Sequence, residues 1–387
     1  MLNTETGKFV EKTIFKEAIM KIKTRKSEII GILNVAQNFI STSATLPLLS
    51  NILFSAEGEI LSISATDMDI SVTAKCKIEK IEEKGKTTIP KKIISLIKEL
   101  PDEGIKIESD KNDNIKVQCK KSLYRIPGLP AEDFPNLDAE GKKLESIKIP
   151  HKTLKEIIIN VSYAALKDSS KRNLNGVFMK FEGNMLEAVA TDAHRLAYYK
   201  SELKDSVKSK FEYIVPLKTI NELGKLLEDS DEKEVEVNFY EKTMEFIIDN
   251  ITIISRIIDE NYPNYSQVIP KDFTMKAFIN KEEMESAIKR ASTISSEKSR
   301  VIILKLEKNK LVINAQAQDE GEAFEEIEAK YDGEPIDVSY NAVYLLDILK
   351  ITEGGEIELK LISSMNPGVI KDPAKENLTY VVMPIRK

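Results

Sequence analysis

A threefold repetition of one pattern along the chain constrains the fold more than any other feature. Each copy begins with an amphipathic helical pattern, passes through an alternating hairpin, and returns to a short helix and further strands. Asp67, Asp192 and Asp319 mark corresponding points of the three copies. The period is about 125 residues, far above the roughly 20 to 50 residues of a solenoid repeat. The sequence therefore predicts three copies of one whole domain.

The limits of the predicted domains lie near Ile147 and Pro270, next to proline-containing extended stretches. A chain of 387 residues is too long for one ordinary core, which agrees with several domains. Sheets with helices grouped on one face make an α+β architecture. We therefore expect an N-terminal extension and three α+β domains, at residues 1–19, 20–147, 148–270 and 271–387.

The second copy shows the helical pattern most clearly. From His151 to Leu166 the apolar residues recur at helical spacing, which predicts one helix over this stretch with its apolar side toward a core. The residues expected to face that core are Leu154, Ile157, Ile158, Val161 and Ala165.

The composition excludes several classes of protein. The 57 basic and 63 acidic residues give a net charge of -6, which argues against adhesion of the whole surface to nucleic acid but allows a local basic face. No apolar run approaches about 18 residues, and the N-terminus lacks the apolar core of a signal peptide. Cys76 and Cys119 lie in strand-like segments and are expected to be reduced. These features predict a cytoplasmic protein with no membrane partner.

The stretch Thr191–Leu196, which reads TDAHRL, follows an alternating apolar run and so lies at the end of a strand. Asp192, His194 and Arg195 allow a catalytic interpretation, in which the aspartate orients the imidazole and the arginine holds an anion. They also allow a structural one, in which a polar turn closes a hairpin and Arg195 pairs with a carboxylate. A third interpretation is a recognition surface, and the rest of the chain favours it.

No further motif supports catalysis or a bound cofactor. His151 and His194 are the only histidines, so no Cys/His zinc site is expected. The GKT tripeptide at Gly85 lacks the earlier glycine of a phosphate-binding loop, because Lys80 occupies that place. We therefore predict no metal and no cofactor.

Basic residues recur at the helices of all three copies. Solvated helix faces would explain them, and so would three copies that present their helices to one polyanion. Duplex DNA carries a charge about every 1.7 Å, which lysines can meet without reading sequence. The basic residues considered on the helices and at their ends are Lys91, Lys152, Lys171, Arg172, Lys218, Lys289 and Arg290.

Several motifs, in order along the triplicated chain, resemble those of the bacterial DNA polymerase III β subunits, the sliding clamps. The resemblance covers nearly everything from Met20 onward. The motifs are TLPLLSNILF, TDMD, LPAEDFPNL, NLNGV, ATDAHRLA, YPNY followed by Val268, Ile269 and Pro270, and the terminal YVVMPIRK.

The resemblance implies three domains of the DNA-clamp fold and a head-to-tail homodimer that closes a six-domain ring, with helices inside and sheets outside. Such a ring encircles double-stranded DNA without reading its sequence and tethers the DNA polymerase III catalytic subunit, which makes replication processive. It also implies loading by a clamp loader and binding of clamp-motif peptides from repair polymerases, mismatch repair proteins and ligase. No enzymatic activity is implied.

The resemblance further implies a client-peptide pocket between the second and third domains. Apolar side chains would form its slot, and His194, Arg195 and Arg386 would rim it with donors. The residues carried over to the pocket are Leu174, Thr191, His194, Arg195, Leu196, Pro263, Gln267, Val268, Asn341, Tyr344, Val381, Val382, Met383, Pro384, Ile385 and Arg386.

The same resemblance assigns a dimer interface and shows where this chain departs from the family. Tyr124 and Ile126 of the first domain would meet Thr293 and Ile294 of the third. The departures are Ala193 in place of glycine, Gln267, Ala44 and Lys75 in place of arginine, Thr293 in place of a larger apolar residue, and the tail residues Ile385 and Lys387. Lys75 is expected to face DNA.

Two alternatives belong to other functional classes. One is a monomeric peptide-binding scaffold that never meets DNA. The other is a hydrolase that uses Asp192, His194 and Arg195, which would need a metal or nucleophile that the sequence does not show.

Overall fold

The computed structural model describes residues 19–41, 46–168, 170–295, 300–317 and 321–386. The predicted extension at 1–19 therefore lies outside the described residues except for Ile19, as do Ala44, Asp319 and Lys387. The chain forms two compact units. The first contains residues up to Lys142 together with Thr243–Ser255, and the second contains Lys143–Lys242 and Arg256–Lys387.

Six α-helices and 23 β-strands are formed by the described residues. The helices are α1 (Lys26–Gln37), α2 (Lys92–Glu99), α3 (His151–Val161), α4 (Leu217–Leu226), α5 (Lys281–Ser292) and α6 (Ala342–Ile351). The strands are β1 (Met20–Thr24), β2 (Asn51–Glu57), β3 (Ile60–Thr66), β4 (Ile70–Lys77), β5 (Lys80–Glu83), β6 (Gly85–Pro90), β7 (Ile105–Ser109), β8 (Asn114–Cys119), β9 (Ser122–Pro127), β10 (Lys143–Pro150), β11 (Gly176–Thr191), β12 (Arg195–Pro216), β13 (Glu234–Tyr240), β14 (Thr243–Ile248), β15 (Ile251–Arg256), β16 (Met275–Asn280), β17 (Val301–Glu307), β18 (Lys310–Ala317), β19 (Gly321–Lys330), β20 (Ile336–Asn341), β21 (Glu356–Leu361), β22 (Gly368–Lys371) and β23 (Leu378–Val382).

The first unit contains a five-stranded sheet in the order β5-β1-β7-β8-β9, in which β9 is an edge strand. Its other strands follow the order β14-β15-β4-β3-β2-β6. The apolar side of α1, with Ile29 and Leu33 fully buried, packs on β3, β4 and α2. Helices thus cover one face of the strands, as the α+β prediction requires.

The second unit pairs β10 with β13 and contains a ten-stranded sheet in the order β11-β12-β23-β22-β21-β16-β19-β18-β17-β20. The antiparallel pair of β12 and β23 joins the second repeat to the third in this one sheet. Its register sets Arg195 opposite Val382 and Leu196 opposite Val381. The TDAHRL segment and the end of the chain are therefore brought side by side by backbone pairing.

Helix α3 agrees with its sequence pattern except at its end. All five predicted core positions are buried, from Leu154 to Ala165. The α-helix stops at Val161 and continues as a 3-10 turn over Ser162–Ala164, so the predicted helix to Leu166 was too long. The α+β class of three repeated domains is confirmed, whereas the exact domain limits stay a prediction.

The cysteines and the lengths of the helices are two further features of the structure. Neither cysteine forms a disulfide, and burial together with the charge of Glu28 raises the pKa of Cys76 to about 11. None of the described helices is long and apolar enough to cross a bilayer.

Candidate partner-binding site

Two short polar side chains close the turn between β11 and β12. Thr191 Oγ1 accepts a hydrogen bond from the backbone N–H of Ala193 at 3.1 Å and donates to the carbonyl oxygen of Arg195 at 2.6 Å. Asp192 Oδ1 accepts the backbone N–H groups of His194 and Arg195 at 2.9 and 3.0 Å. Ala193 has a φ of 75°, a conformation that costs a residue with a Cβ about 1 to 2 kcal/mol. The threonine and the aspartate therefore fix the turn that carries His194.

The guanidinium of Arg195 lies at the centre of the site and its side chain is only 6% exposed. Its Nε donates to Asp192 Oδ2 at 3.0 Å, its Nη1 to Asp347 Oδ2 at 2.5 Å, and its Nη2 to the carbonyl oxygen of Tyr163 at 3.1 Å. Its Cζ lies 5.2 Å from the ring centroid of Tyr163 and 4.8 Å from that of Tyr344. One cation thus links the second repeat to α6 of the third.

The charge of Arg195 is stabilised in spite of its burial. Burial lowers the pKa of Arg195, but the hydrogen bond to Asp347 and the charges of Asp192 and Asp347 outweigh it, so the pKa is raised. Burial raises the pKa of Tyr163 well above its usual value and raises that of Tyr344 as well. The arginine is therefore a permanent cation between two neutral rings.

His194 is exposed next to this buried cation. Its ring stacks on that of Tyr344, with 6.1 Å between the centroids and 16° between the planes. Asp192 directs its two carboxylate oxygens at backbone N–H groups and at Arg195. The hydrolase alternative required Asp192 to orient the imidazole, and no hydrogen bond among the described residues makes that contact.

An apolar cluster shared by the second and third repeats includes Leu196, the residue after Arg195. Its members come from β11, β12, β22, β23 and the segment that follows β15. The buried members are Phe178, Val189, Leu196, Ile214, Ile258, Val369 and Val381, and the half-buried residues packed on them are Tyr198, Tyr262, Tyr265, Val268, Ile269 and Phe273.

The last described residues of the chain continue past β23 along the turn. The N–H of Met383 donates to the carbonyl oxygen of His194 at 2.8 Å, and the N–H of Ile385 donates to that of Ser339 at 2.8 Å. Met383, Pro384 and Ile385 are half-buried. The tail therefore forms one wall of the site, between the turn and β20.

The structure brings together most of the predicted pocket residues. Backbone pairing, hydrogen bonds, ring contacts and the apolar cluster connect Thr191, His194, Arg195, Leu196, Val268, Tyr344, Val381, Val382 and Met383. Asn341 caps α6 by accepting the N–H of Val343 at 2.9 Å. Leu174 is buried in a 3-10 turn whose Asn173 donates to the carbonyl oxygen of Asn261.

The remaining predicted pocket residues are less tightly connected to the site. Pro263, Gln267 and Arg386 are exposed, and no hydrogen bond or ion pair in the described chain joins them to the turn. Val268, next to Gln267, is the residue of this segment that packs on the apolar cluster.

Arg195 differs from its predicted role as an exposed rim donor. It is buried and paired, as in the structural interpretation of the turn, so it positions the site instead of presenting its charge to a ligand. Sequence reasoning missed its partners Asp347 and Tyr163. Asp347 follows Tyr344 by three positions on α6, and such residues share a helix face, which is the signal that could have found it.

Three family sequence profiles match this chain in order. They are the N-terminal domain of the DNA polymerase III beta subunit over residues 20–138, the central domain over 148–264, and the C-terminal domain over 266–386. This chain belongs to the DNA polymerase III beta subunit family.

Relatives of known identity agree with this assignment. The beta sliding clamp of Caulobacter vibrioides is 32% identical over 375 residues, which cover 95% of this chain and all of the relative. That of Pseudomonas putida is 29% identical over 378 residues, covering 97% of this chain and 99% of the relative. The chain is accordingly a DNA sliding clamp, a non-catalytic processivity subunit of DNA polymerase III.

Solved structures agree at the level of the fold. The sliding clamp of Pseudomonas aeruginosa matches with a TM-score of 0.91 and 28% identity, over 95% of this chain and all of that one. The Bacillus subtilis clamp matches with a TM-score of 0.91 and 28% identity, over 95% and 99% of the two chains.

The predicted DNA-facing residues of this beta subunit lie mainly at helix ends. Lys91 precedes α2, Lys152 and Lys218 are second residues of α3 and α4, and Lys289 and Arg290 lie in the last turn of α5. Lys171 directly precedes a 3-10 turn that begins at Arg172, and Lys75 is exposed on β4.

Three of these residues pair with acids in the structure. Lys152 lies 3.3 Å from Asp231, Lys289 lies 2.5 Å from Glu285, and Arg290 makes two bonds to Glu325 at 2.9 and 2.6 Å.

The predicted dimer-interface residues lie on strand β9 and directly after helix α5. Tyr124, which is 37% exposed, and Ile126 belong to the edge strand β9. Thr293 and Ile294 directly follow α5, and Thr293 Oγ1 donates to the carbonyl oxygen of Arg290 at 2.7 Å.

Among the described residues, no group of three or more His, Cys, Asp or Glu side chains is arranged to hold a metal.

Proposed function

We propose that two copies of this beta subunit close head to tail into a six-domain ring around duplex DNA, and that the site at Thr191–Arg195 binds short peptides of client proteins. The observation that carries the peptide site is the contact of the tail with the turn, where Met383 meets the carbonyl of His194 beside an apolar cluster drawn from two repeats. The clients would include the polymerase III catalytic subunit, the clamp loader, repair polymerases, mismatch repair proteins and ligase.

The chemistry of the site suits an extended peptide with few apolar anchors. Met383 and Val268 are half-buried, which leaves apolar surface for side chains of a ligand. His194 adds an exposed ring with hydrogen-bonding nitrogens, whereas Arg195 is engaged with Asp192 and Asp347. Specificity would therefore come from apolar fit and from His194, and Arg195 would hold the walls in place.

The basic residues at the helix ends support passage of DNA through such a ring. Lysine contacts to phosphate carry no sequence information, so the ring would move along the duplex without gripping a base. Lys91 of the first repeat and Lys171 and Lys218 of the second are exposed near helix starts or turns. We assign these residues, together with Lys75, Lys152, Arg172, Lys289 and Arg290, to the DNA-facing side.

The domain limits and the location complete the proposal. We divide the ring-forming chain at 20–147, 148–270 and 271–387, near the gaps between the matching family profiles. The protein would work in the cytoplasm, where bacterial chromosomal DNA is replicated.

Peptide titration tests the binding site. A fluorescent peptide with the C-terminal sequence of the cognate polymerase III catalytic subunit is titrated with the protein, and with Met383→Ala. We expect the variant to weaken binding by about 1 to 3 kcal/mol, as loss of an interface anchor does. Met365→Ala is the matched control, because Met365 is 56% exposed elsewhere on the third repeat. Equal affinity of Met383→Ala and wild type would refute the pocket assignment.

Retention on DNA tests the ring. The protein is loaded with the cognate clamp loader and ATP on circular plasmid, and half of the sample is then linearised. Retention on circles with loss from cut ends would support a topological ring. Equal retention on both would mean ordinary DNA binding, and a monomer retained on neither would support the peptide-binding scaffold.

A further inference from the structure

Strand β19, which lies between β16 and β18 in the ten-stranded sheet, carries an exposed aromatic side chain. Phe324 lies in the middle of β19 and is 69% exposed, the highest value among the exposed large apolar residues of the described chain. Among those residues, β16 pairs with β19 only at Ala329 and Lys330. The rest of that edge of β19 has backbone groups available to a further strand, which soluble proteins normally cover or protect.

The pairing with β18 defines the two faces of β19. Leu311, Ile313 and Ala315 of β18 are buried and stand opposite Ile327, Glu325 and Ala323, so these odd-numbered residues face the core and α5. Side chains alternate along a strand, so the even-numbered residues lie on the outer face. They are Glu322, Phe324, Glu326, Glu328 and Lys330, and all five are exposed.

The outer face of β19 is therefore an aromatic residue surrounded by acids. Glu326 lies 3.0 Å from Lys310, and Glu322 accepts from the side-chain amide of Gln316 at 2.8 Å. Lys330, the second lysine of this face, lies 2.6 Å from Glu356, so carboxylates outnumber lysines around Phe324. A partner that covers Phe324 should therefore bring an apolar side chain and positive charge.

The edge strand β9 of the first unit has this complementary chemistry. Tyr124 and Ile126 stand opposite the buried Val117 and Ile115, so they face the core. Leu123 and Arg125 consequently lie on the outer face. The same face carries Lys116 of β8 and Lys106 and Glu108 of β7, and Glu108 lies 3.4 Å from Lys116. Lys106 and Arg125 leave the face with an excess of positive charge.

We propose that Phe324 anchors the joint between two copies, where it packs on Leu123 and the aliphatic stem of Arg125 of β9 in the second copy. This inference rests on the head-to-tail homodimer of the proposed function. When the edge of β9 in one copy pairs with the edge of β19 in the other, the outer faces of the two strands lie side by side, and so do their core faces. Phe324 then adds an outer contact to the inner one between Tyr124 and Ile126 and the residues Thr293 and Ile294.

The outer contact explains how this chain tolerates a small residue at position 293. Thr293 directs its hydroxyl to the carbonyl of Arg290 and offers little apolar area. Phe324 supplies a large apolar surface on the opposite face of the same joint. An aromatic centre ringed by charge is the usual form of an interface anchor.

Sedimentation equilibrium of the full-length protein tests the anchor. We expect Phe324→Ser to raise the dimer dissociation constant by about 30-fold or more, the effect of losing an aromatic hot spot. Met365→Ser is the matched control and should leave it unchanged, since Met365 is similarly exposed. The far-ultraviolet circular dichroism spectrum should not change for either variant, because both side chains are exposed in one copy of the chain.

Charge reversal gives an independent test of the partner strand. Arg125→Glu should weaken the dimer, and Arg125→Glu combined with Glu326→Arg should recover part of the loss, because each joint then contains a reversed pair. Lys308→Glu, an exposed lysine with 76% of its side chain accessible, is the control for a general charge effect.

The outcomes separate this inference from the function on which it rests. A dimeric wild type with a weakened Phe324→Ser variant and an unaffected control supports the anchor. A dimer that Phe324→Ser leaves unchanged overturns the anchor while the ring stands. A wild type that stays monomeric at high micromolar concentration overturns both.

Discussion

The same turn occurs in the first and second repeats of this beta subunit. In the first, Thr66 Oγ1 accepts the N–H of Met68 at 3.0 Å and donates to the carbonyl of Ile70 at 3.1 Å. Asp67 Oδ1 accepts the N–H groups of Asp69 and Ile70 at 3.1 and 3.0 Å, and Met68 has a φ of 84°. Every one of these contacts has its counterpart at residues 191–195.

The two turns differ at their fifth residue. Ile70 is buried and begins β4 as an ordinary core side chain. Arg195 occupies the equivalent place and reaches Asp347 of α6. The Thr-Asp turn is therefore a structural feature of the repeat, and the proposed peptide site lies at the copy in which an arginine replaces the core residue. The third counterpart, at Asp319, lies outside the described residues.

The largest expected effect on stability comes from Arg195→Ile, which gives the second turn the isoleucine that the first turn has at Ile70. Arg195→Ile leaves Asp192 and Asp347 without their cation, and breaking a buried pair costs about 3 to 5 kcal/mol. Partial exposure of Asp347 places the expected loss near the lower end of this range. Hydrogen exchange in urea, which follows each repeat separately, measures the loss.

The control for that substitution lies in the first turn. Ile70→Val removes one methyl group and should cost only about 0.5 to 1.5 kcal/mol. If Arg195→Ile cost no more than Ile70→Val, the buried cation would not be what distinguishes the two turns.

The next effect compares the two aspartates. Asp67→Ala and Asp192→Ala each leave two backbone N–H groups without an acceptor, at a cost of about 1 to 2 kcal/mol. Asp192 also accepts from Arg195, so about 1 kcal/mol of its loss should depend on the arginine. A double-mutant cycle of Asp192→Ala with Arg195→Ile should measure that part. A loss at Asp192 that Arg195→Ile leaves unchanged would contradict this account.

A smaller effect should be the same in both turns. Met68 and Ala193 have positive φ values, a conformation that glycine adopts without strain. Met68→Gly and Ala193→Gly should each stabilise the protein by roughly 0.5 to 1 kcal/mol. Ala193→Gly should leave peptide affinity unchanged, because the contacts of Arg195 remain. Thermal unfolding by calorimetry measures the change, and a destabilised glycine variant would show that the residue at this place does more than set the turn.

Sequence patterns were sufficient to predict structural features that are local in the chain or that recur in the repeats. Helical spacing gave the buried face of α3, and the repeated Thr-Asp pairs marked both turns because their contacts span four residues or fewer. The pairing of Arg195 with a carboxylate was one of the interpretations of the turn, but local patterns did not identify Asp347, which is 152 positions away. The association of Thr243–Ser255 with the first unit could not be predicted either. Strand pairing between repeats does not change the spacing of residues from which the threefold repetition was inferred.

The smallest expected effect on stability is also the most specific for function. His194 is exposed and joins Tyr344 only by stacking, so His194→Ala should change the free energy of unfolding by less than about 0.5 kcal/mol. Its loss should still weaken client-peptide binding about five- to tenfold, because the exposed imidazole belongs to the residue whose carbonyl oxygen binds the N–H of Met383. Asp69→Ala is the matched control, since Asp69 holds the equivalent place in the first turn. An affinity that both variants left unchanged would mean that the turn only supports the wall formed by the tail, and that the apolar cluster alone selects the peptide.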